Sequence, residues 1–361
     1  MKLRIGLVVF SLALSVLLGW LLSHRGTEGP TGIPKGKLLI GLSMDTLKEA
    51  RWQVDRDLFT KRANELGAEV LVQSANSDDV QQVKDVDFLI TRKVGVLVVI
   101  PHNGAAMAKG VEMARQAGIP VIAYDRLITD CPLDLYITFD NVKVGELQAR
   151  YLVGHLPRGK GRIVRIYGSK TDHNALLFKQ GQDQVLSPLI ARGDIKVLHE
   201  DWAEDWKPEN AKKIMNAAIT KSGQGKNFDC QGVLASNDGT AGGAIQSLLE
   251  EGLAGRILVT GQDADLVACQ RIAQGTQAMT IYKPIKALAT RAAELAVAMA
   301  TGKPIITNAG LHNGKVEVPS VLLEVVAVNR ENLAETVIRD GFHRREEIFL
   351  DAAPVPFSPK P

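Results

Sequence analysis

Residues 95–126 read GVLVVIPHNGAAMAKGVEMARQAGIPVIAYDR and show the pattern that decides the fold. The run at 95–101 is apolar at almost every position, as expected for a strand of a parallel sheet that is covered on both faces. A stretch of helical period at 104–117 separates it from a second apolar strand at 120–125. This order predicts a βαβ unit.

The same alternation continues along the chain from Lys37. The other predicted strands are 38–44, 69–75, 135–140, 162–168, 195–200, 232–236, 257–263 and 278–282. The other predicted helices are 49–66, 77–94, 141–155, 174–192, 207–222, 239–252 and 285–301. So many strands exceed one compact sheet of this kind, and the sequence therefore predicts an α/β protein of two Rossmann-like, doubly wound lobes.

The chain is expected to pass between these lobes three times, and the three crossings together form a hinge. We place the crossings near 139–141, near 282–284 and in the late apolar run 320–328. These positions assign 37–140 and 284–318 to the N-terminal lobe, and 141–283 and 319–345 to the C-terminal lobe. Residues 346–361 are then a tail.

The N-terminus has the pattern of an export signal. Lys2 and Arg4 precede an apolar run from Ile5 to Leu22, a positive region followed by an apolar region. Residues 1–25 are therefore expected to be either a cleaved signal peptide or an uncleaved membrane anchor, since no convincing cleavage site follows the run. Residues 26–36, rich in Gly and Pro, are predicted to be a linker. Both alternatives place the remainder of the chain in the periplasm.

Composition and cysteine spacing exclude several classes of protein. Net charge is +3, with 43 basic and 40 acidic residues mixed along the chain, so no basic stripe suggests a nucleic-acid partner. The only three cysteines, Cys131, Cys230 and Cys269, lie far apart, which excludes a CxxC redox or zinc site and permits at most one disulfide. We expect no metal and no cofactor.

Polar and aromatic residues follow the predicted strands, where ligands bind in open α/β sheets. They are Arg51, Trp52, Asp125, Arg126, Asp172, His173, Asn174, Trp202, Trp206, Asn237, Asp238, Asp263 and Lys283. Carboxylates, amides and guanidinium groups suit hydroxyls that both donate and accept hydrogen bonds. Tryptophan offers a flat apolar face to the C–H side of a sugar ring. The set is chemically suited to a carbohydrate.

Each of these residues also has a purely structural interpretation. Asn237 or Asp238 could simply cap the helix that follows, and Arg51 could pair with a carboxylate on its own helix. Trp206 could belong to the core, and Lys283 could be a solvated loop charge. The convergence of many such residues at strand ends favours a ligand site.

Motifs for catalysis are absent or broken. No GxGxxG follows the first strand, and no HExxH or GxSxG occurs. Residues 154–160 spell GxxxxGK, but Gly161 stands where a P-loop has Ser or Thr, and the segment precedes a strand instead of following one. We therefore expect a binding protein with no catalytic residues.

Several longer motifs resemble the D-xylose binders of the bacterial periplasmic sugar-binding family, which serves ABC importers. The segments are ARWQVDRD (50–57), LVQSAN (71–76), AYDRLI (123–128), FDNVKVGELQA (139–149), DWKPENA (205–211), ASNDGTAGGAIQ (235–246), GQDADL (261–266), YKPI (282–285) and VIRDGFH (337–343). The resemblance covers about 37–343. It implies the periplasmic binding protein type I fold, a cleft between two lobes, and closure around a monosaccharide.

Residue by residue, the resemblance implies a set of sugar contacts. The polar contacts are Arg51, Asp125, Arg126, Asp172, Asn174, Asn237, Asp263 and Lys283, and Trp52 and Trp206 form the stacking pair. The sequence departs from the xylose binders at His173, where they have Asn, and this puts one peripheral contact in doubt. Ribose, arabinose or glucose would use similar groups.

The implied function is that of a monomeric binding protein that delivers sugar to the transmembrane subunits of an ABC permease. A LacI-type repressor shares the fold, but it needs an N-terminal helix-turn-helix where this chain has an apolar export segment. A sugar-processing enzyme, and a membrane-tethered sensor that presents bound sugar to a receptor or kinase, are the remaining alternatives.

Overall fold

The structure is a computed structural model that describes residues 37–223 and 227–349. The predicted export segment, the linker and residues 350–361 of the predicted tail lie outside the described residues. Within the described part of the chain, no helix is both long and apolar enough to span a membrane.

Thirteen strands and ten α-helices follow one another along the described chain. The strands are β1 (Leu38–Met44), β2 (Ala68–Ser74), β3 (Val96–Ile100), β4 (Val121–Tyr124), β5 (Leu135–Phe139), β6 (Gly161–Tyr167), β7 (Ile195–Trp202), β8 (Gly232–Ala235), β9 (Leu258–Val259), β10 (Met279–Tyr282), β11 (Ala309–His312), β12 (Glu317–Leu323) and β13 (Val326–Asn329). The helices are α1 (Ala50–Glu65), α2 (Asp79–Thr91), α3 (Ala108–Gln116), α4 (Asn141–His155), α5 (His173–Ala191), α6 (Pro208–Ser222), α7 (Asp238–Glu250), α8 (Leu266–Gln274), α9 (Ile285–Ala300) and α10 (Arg345–Ile348).

Seven strands form the sheet of what we call the first lobe, in the order β11-β12-β5-β4-β3-β1-β2. All neighbours are parallel except β11 and β12. The strands β3, β4 and β5 are buried along their whole length, as their continuous apolar sequence predicts for a sheet covered on both faces. Helix α9 packs on this sheet through Leu288, Ala292 and Leu295. The α/β prediction is confirmed.

A second parallel sheet, in the order β7-β6-β8-β9, forms the second lobe together with the antiparallel pair β10-β13. The pair extends this sheet, because the N–H of Ala278 donates to the carbonyl of Val259 at 2.9 Å. Only Leu258–Val259 of the predicted strand 257–263 is strand. Asp263 has a left-handed φ of 97°, so the chain turns there and cannot continue as a strand.

The chain crosses between the lobes at 139–141, at 282–285 and at 323–326. The third crossing corrects the predicted boundary at 318/319, because β12 pairs with β5 in the first lobe (Leu323 opposite Phe139) and only β13 joins the second lobe. One apolar run thus contains the ends of two strands in different sheets, which periodicity alone cannot separate. The N–H of Asp140 donates to the carbonyl of Leu323 at 3.0 Å and ties two crossings together.

The start of the predicted tail also differs from the structure. Helix α10 begins at Arg345, and Ile348 is buried in a cluster with Cys269 and Ile272 of α8 and Val337. Residues 346–349 therefore belong to the second lobe. Helix α8 and strands β11 to β13 were not among the predicted elements.

Helices α4 and α5 pack closely through two glycines. A Cβ at Gly145 would stand 1.9 Å from the carbonyl oxygen of Phe178, and a Cβ at Gly181 would stand 1.9 Å from that of Val142. Neither position has room for a methyl group, because backbone atoms cannot move aside as a side chain can. The two helices therefore form one rigid pair.

We predict that Gly145→Ala lowers the free energy of unfolding by about 1–3 kcal/mol, because the added methyl forces α4 and α5 apart. Gly154→Ala is the matched control on the same helix: it is exposed, and a Cβ there meets nothing within 4 Å. It should leave stability unchanged or raise it by up to about 1 kcal/mol through helix propensity. Urea unfolding measures the free energy of unfolding of both variants. An equal change in the two variants would contradict the close contact between Gly145 and the backbone of Phe178.

Candidate functional site

The carboxyl ends of both parallel sheets face a cavity of about 120 Å³ between the lobes. All ten predicted contact residues line it: Arg51, Trp52, Asp125, Arg126, Asp172, Asn174, Trp206, Asn237, Asp263 and Lys283. Those of the first lobe come from the start of α1 and the end of β4. Those of the second lobe follow β6, β7, β8 and β9, and Lys283 lies at the second crossing. That these side chains bind a ligand stays a prediction.

Six further residues line the cavity and were not predicted: Glu49, Phe178, Pro208, Gly239, Gln262 and Asp265. Gln262 and Asp265 flank Asp263 in the GQDAD motif, which was the signal that could have found them. Phe178 lies one helical turn after Asn174 on α5, and only the direction of that helix reveals it.

Three residues that follow predicted strands lie outside the cavity lining. Trp202 packs on Tyr167, with ring centroids 4.8 Å apart. His173 is partly buried, and burial lowers its pKa. Asp238 is buried behind the cavity wall.

Arg51 joins the two lobes. Its guanidinium contacts Asp125 of the same lobe, and its Nη1 lies 3.1 Å from Oδ1 of Asp263 in the other lobe. The interpretation of Arg51 as a partner for its own helix also holds, because its Nε lies 3.4 Å from Oδ2 of Asp55. Arg51 is only 8% exposed, so these carboxylates replace water around a cation that keeps its proton.

A second arginine makes a similar bridge. Arg126 donates from Nη1 to Asp45 at 2.7 Å and places Nε 2.9 Å from Oδ2 of Asp172 across the cleft. The same Asp172 oxygen accepts the indole N–H of Trp206 at 3.2 Å. This chain of contacts fixes the orientation of a flat aromatic ring beside two charged groups.

The two tryptophans of the cavity, Trp206 and Trp52, are held in place by different neighbours. Trp206 lies over Gly168, where a Cβ would stand 2.0 Å from the ring, so any larger residue there would displace it. It is also partly buried against Val144 and Phe178, so the core interpretation holds alongside the ligand one. Trp52 has the guanidinium carbons of Arg51 and Arg126 at 4.4 and 5.2 Å from its ring centroid.

Two residues of the cavity are also helix caps. Oδ1 of Asp172 accepts the N–H of Asn174 at 2.9 Å at the start of α5, and Oδ1 of Asn237 accepts the N–H of Thr240 at 2.9 Å at the start of α7. The capping interpretation of Asn237 is therefore correct, and capping does not remove either side chain from the cavity. The Asn174 amide donates to Oδ1 of Asp125 at 3.1 Å, a third contact between the lobes.

The buried charges compensate one another. Burial acts to raise the pKa of Asp263, but the nearby charges of Lys283 and Arg51 outweigh this effect. The pKa is lowered overall, and the carboxylate stays ionised with Nζ of Lys283 2.9 Å from its Oδ1. Burial and the neighbouring Asp263 raise the pKa of Asp265 to about 6. Lys283 is 2% exposed, which excludes its interpretation as a solvated loop charge.

Neither a metal centre nor a disulfide is found in the described part of the chain. No group of three or more His, Cys, Asp or Glu side chains there could hold a metal ion. Cys131, Cys230 and Cys269 are buried and free.

Two α/β lobes with a polar cavity between them define a cleft-binding protein, and the comparisons identify its family. Residues 40–304 match the family described as periplasmic binding protein domain. The chain belongs to this family, in the sugar-binding branch that contains the relatives below.

Two curated relatives have half of their aligned residues in common with this chain. A D-xylose-binding periplasmic protein of Haemophilus influenzae is 49% identical over 312 residues, and one of Escherichia coli is 49% identical over 309 residues. Each alignment covers 86% of this chain and 92% of the relative.

Solved structures agree with the fold. A carbohydrate transporter solute-binding protein from Chloroflexus aurantiacus, in complex with D-glucose, superposes with a TM-score of 0.80 at 31% identity. The match covers 85% of this chain and 97% of that one. An ABC transporter solute-binding protein from Clostridium phytofermentans with bound β-D-glucose also has a TM-score of 0.80, at 29% identity, over 86% of this chain and 100% of that one.

The bridge through Arg126 predicts a specific response to acid. Burial acts to raise the pKa of Asp45, but hydrogen bonds from His102 and the charge of Arg126 lower it to about 2. A carboxyl whose pKa is lower in the folded than in the unfolded state stabilises the fold above pH 4, and this contribution is lost as the pH falls towards 2. Asp45→Asn should abolish roughly 2 kcal/mol of that pH dependence.

Urea unfolding at several pH values between 5 and 2 measures this slope. Asp57→Asn is the control, because Asp57 pairs with Arg56 at the surface. It should keep the wild-type slope. An unchanged slope in Asp45→Asn would show that Asp45 does not carry the effect.

Proposed function

We propose that this chain is the periplasmic sugar-binding component of an ABC importer, that its ligand is D-xylose, and that it binds the sugar without altering it. The observation that carries the proposal is the cavity walled by both lobes, in which carboxylates and cations alternate beside two tryptophans. The names of the two relatives that are 49% identical support xylose in particular.

The charges of the cavity favour a neutral ligand. Three cationic and five acidic side chains line it: Arg51, Arg126 and Lys283, and Glu49, Asp125, Asp172, Asp263 and Asp265. Each of these three cations already contacts a carboxylate, so none of them is left unpaired to bind a phosphate or a sugar acid. Hydroxyl groups, which donate to carboxylates and accept from guanidinium and ammonium groups, suit this lining.

The size of the cavity favours a small sugar. At about 120 Å³ the cavity is well below the roughly 300–1,000 Å³ that is typical of sites for drug-sized ligands, so it favours a ligand no larger than a monosaccharide. The faces of a pyranose ring can pack against Trp52 and Trp206 while its edge meets the polar groups.

Binding would act by shifting the lobes toward their closed arrangement. The contacts Arg51–Asp263, Arg126–Asp172 and Asn174–Asp125 all join one lobe to the other. A sugar that touches both sides adds contacts that exist only when the cleft is closed, so it favours the closed state. The transmembrane subunits of a permease would then distinguish the loaded from the empty protein.

A thermal-shift panel tests the identity of the ligand. D-xylose at 100 times its dissociation constant should stabilise the folded protein by about 2.7 kcal/mol and raise the melting temperature by several degrees. D-ribose, L-arabinose, D-glucose and D-xylonate should give smaller shifts, and the unchanged recovery of xylose would show that nothing is turned over. A larger shift with a hexose or with the acid would overturn the assignment.

Asp263→Asn tests the site. We expect the affinity for D-xylose to fall about a hundredfold, because a buried charged partner of Arg51 and Lys283 becomes a neutral amide. The matched control is Asp229→Asn, an exposed carboxylate paired with Arg162 on the surface of the same lobe. Calorimetry should give wild-type affinity for the control, and equal affinities for all three proteins would remove Asp263 from the site.

A further inference from the structure

Asp238 is a buried carboxylate that the proposed binding mechanism does not use. It is 1% exposed and does not line the cavity, although it adjoins Asn237, which does. Its Oδ1 accepts the side-chain N–H of Gln277 at 2.8 Å. Its Oδ2 accepts the backbone N–H of Asp265 and the hydroxyl of Thr280, both at 2.9 Å. Three hydrogen bonds to one buried carboxylate indicate that Asp238 holds the neighbouring backbone in place.

The segment that these contacts hold is the turn Gln262–Asp265, which carries Asp263 into the cavity. Two residues of this turn have positive φ, Asp263 at 97° and Ala264 at 53°. Residues other than glycine keep such conformations only where the surrounding structure imposes them, at about 1–3 kcal/mol each. The turn therefore needs external support to present the Asp263 carboxylate.

Asp238 supports this turn at both ends. Its own N–H donates to the carbonyl of Gln262 at 2.9 Å, and its carboxylate receives the N–H of Asp265. Between these ends, the N–H of Ala264 donates to the Thr280 hydroxyl at 3.1 Å, and that hydroxyl donates onward to Asp238. The preceding residue, Gly261, lies so close that a Cβ there would be 2.0 Å from Oδ1 of Asp238.

The partners of the Asp238 side chain all act as donors. The Gln277 amide is fixed in that orientation, because its oxygen accepts from Nε of Arg271 at 3.1 Å. The Thr280 hydroxyl already accepts from Ala264, so it donates to Asp238. An asparagine at 238 would turn an NH₂ group toward at least one of these donors and release it.

We propose that Asp238 is a positioning residue for Asp263: it binds no sugar, but it holds the turn that places the Asp263 carboxylate between Arg51 and Lys283. This inference rests on the proposed function, since sugar affinity is its readout. It assigns Asp238 a role distinct from that of its neighbour Asn237.

A double-mutant cycle separates this role from a general structural one. Asp238→Asn, Asp263→Asn and the double variant are compared for D-xylose affinity by calorimetry. We expect Asp238→Asn alone to lower affinity on the order of tenfold, and less than about twofold when Asp263 is already Asn, because the effect passes through that side chain. An equal loss in both backgrounds, or no loss, would overturn the proposal.

Thr280→Val and Thr280→Ser provide a second test that leaves Asp238 in place. Val removes the hydroxyl that links Ala264 to Asp238, and Ser retains it. Affinity should fall severalfold in the Val variant and return to within about twofold of wild type in the Ser variant. Equal affinity in the Val and wild-type proteins would count against the proposal even if Asp238→Asn failed to fold.

Asp85→Asn is the matched control for burying an amide in place of a carboxylate. Asp85 is 4% exposed, accepts from Gln81 at 2.8 Å and lies on α2 of the first lobe, outside the cavity. It should retain wild-type affinity whatever its stability. Wild-type protein that bound no sugar at all would instead contradict the proposed function, so the two failures are distinguishable.

Discussion

One buried cation, Arg51, needs carboxylates around it to balance its charge, and the rest of the site depends on this constraint. A guanidinium cannot be neutralised by losing its proton, so its burial requires carboxylates within reach. Asp55 comes from its own helix, Asp125 from the end of β4 and Asp263 from the opposite lobe. The surroundings of Arg51 are complete only when the lobes lie together.

The partners of Arg51 are themselves held by further contacts. Asp55 accepts the hydroxyl of Tyr124, and Asp263 also binds Lys283. Removal of one member of such a buried set leaves an uncompensated charge, which typically destabilises a protein by several kcal/mol. The polar network therefore gives the cavity its shape and pairs each of its three cations with a carboxylate, and these are the properties that a small uncharged ligand needs.

Much of the fold could be predicted from the sequence, because buried parallel strands and amphipathic helices have distinct periodicities. The predicted bounds of β1 and α4 agree with the structure at every residue. The failures have physical reasons. The run 320–328 divides between two sheets that one apolar pattern cannot tell apart. Of the predicted strand 257–263 only Leu258–Val259 is strand, and the positive φ of Asp263 excludes that residue from any strand.

The lining of the cavity was predictable where a residue follows a strand closely, since the ends of parallel strands meet at one edge. The lining was harder to predict where a side chain reaches the cavity only because of the direction in which its helix or turn points. Position after a strand does not by itself separate Asn237, which lines the cavity, from Asp238, which lies behind it, and only the motif resemblance pointed to Asn237 alone. Phe178 and Glu49 reach the cavity only because of how α5 and the start of α1 are aimed.

The paired glycines of α4 and α5 have a consequence for motion. Helix α4 starts at the first crossing, at Asn141, whose amide donates to Oδ1 of Asn174 at 2.8 Å. Helix α5 starts beside Asp172 and Asn174, and Gly145 and Gly181 leave no slack between the two helices. Because α4 and α5 are packed this closely, a rotation of the second lobe at the first crossing would carry Asp172 and Asn174 of the cavity wall along with it.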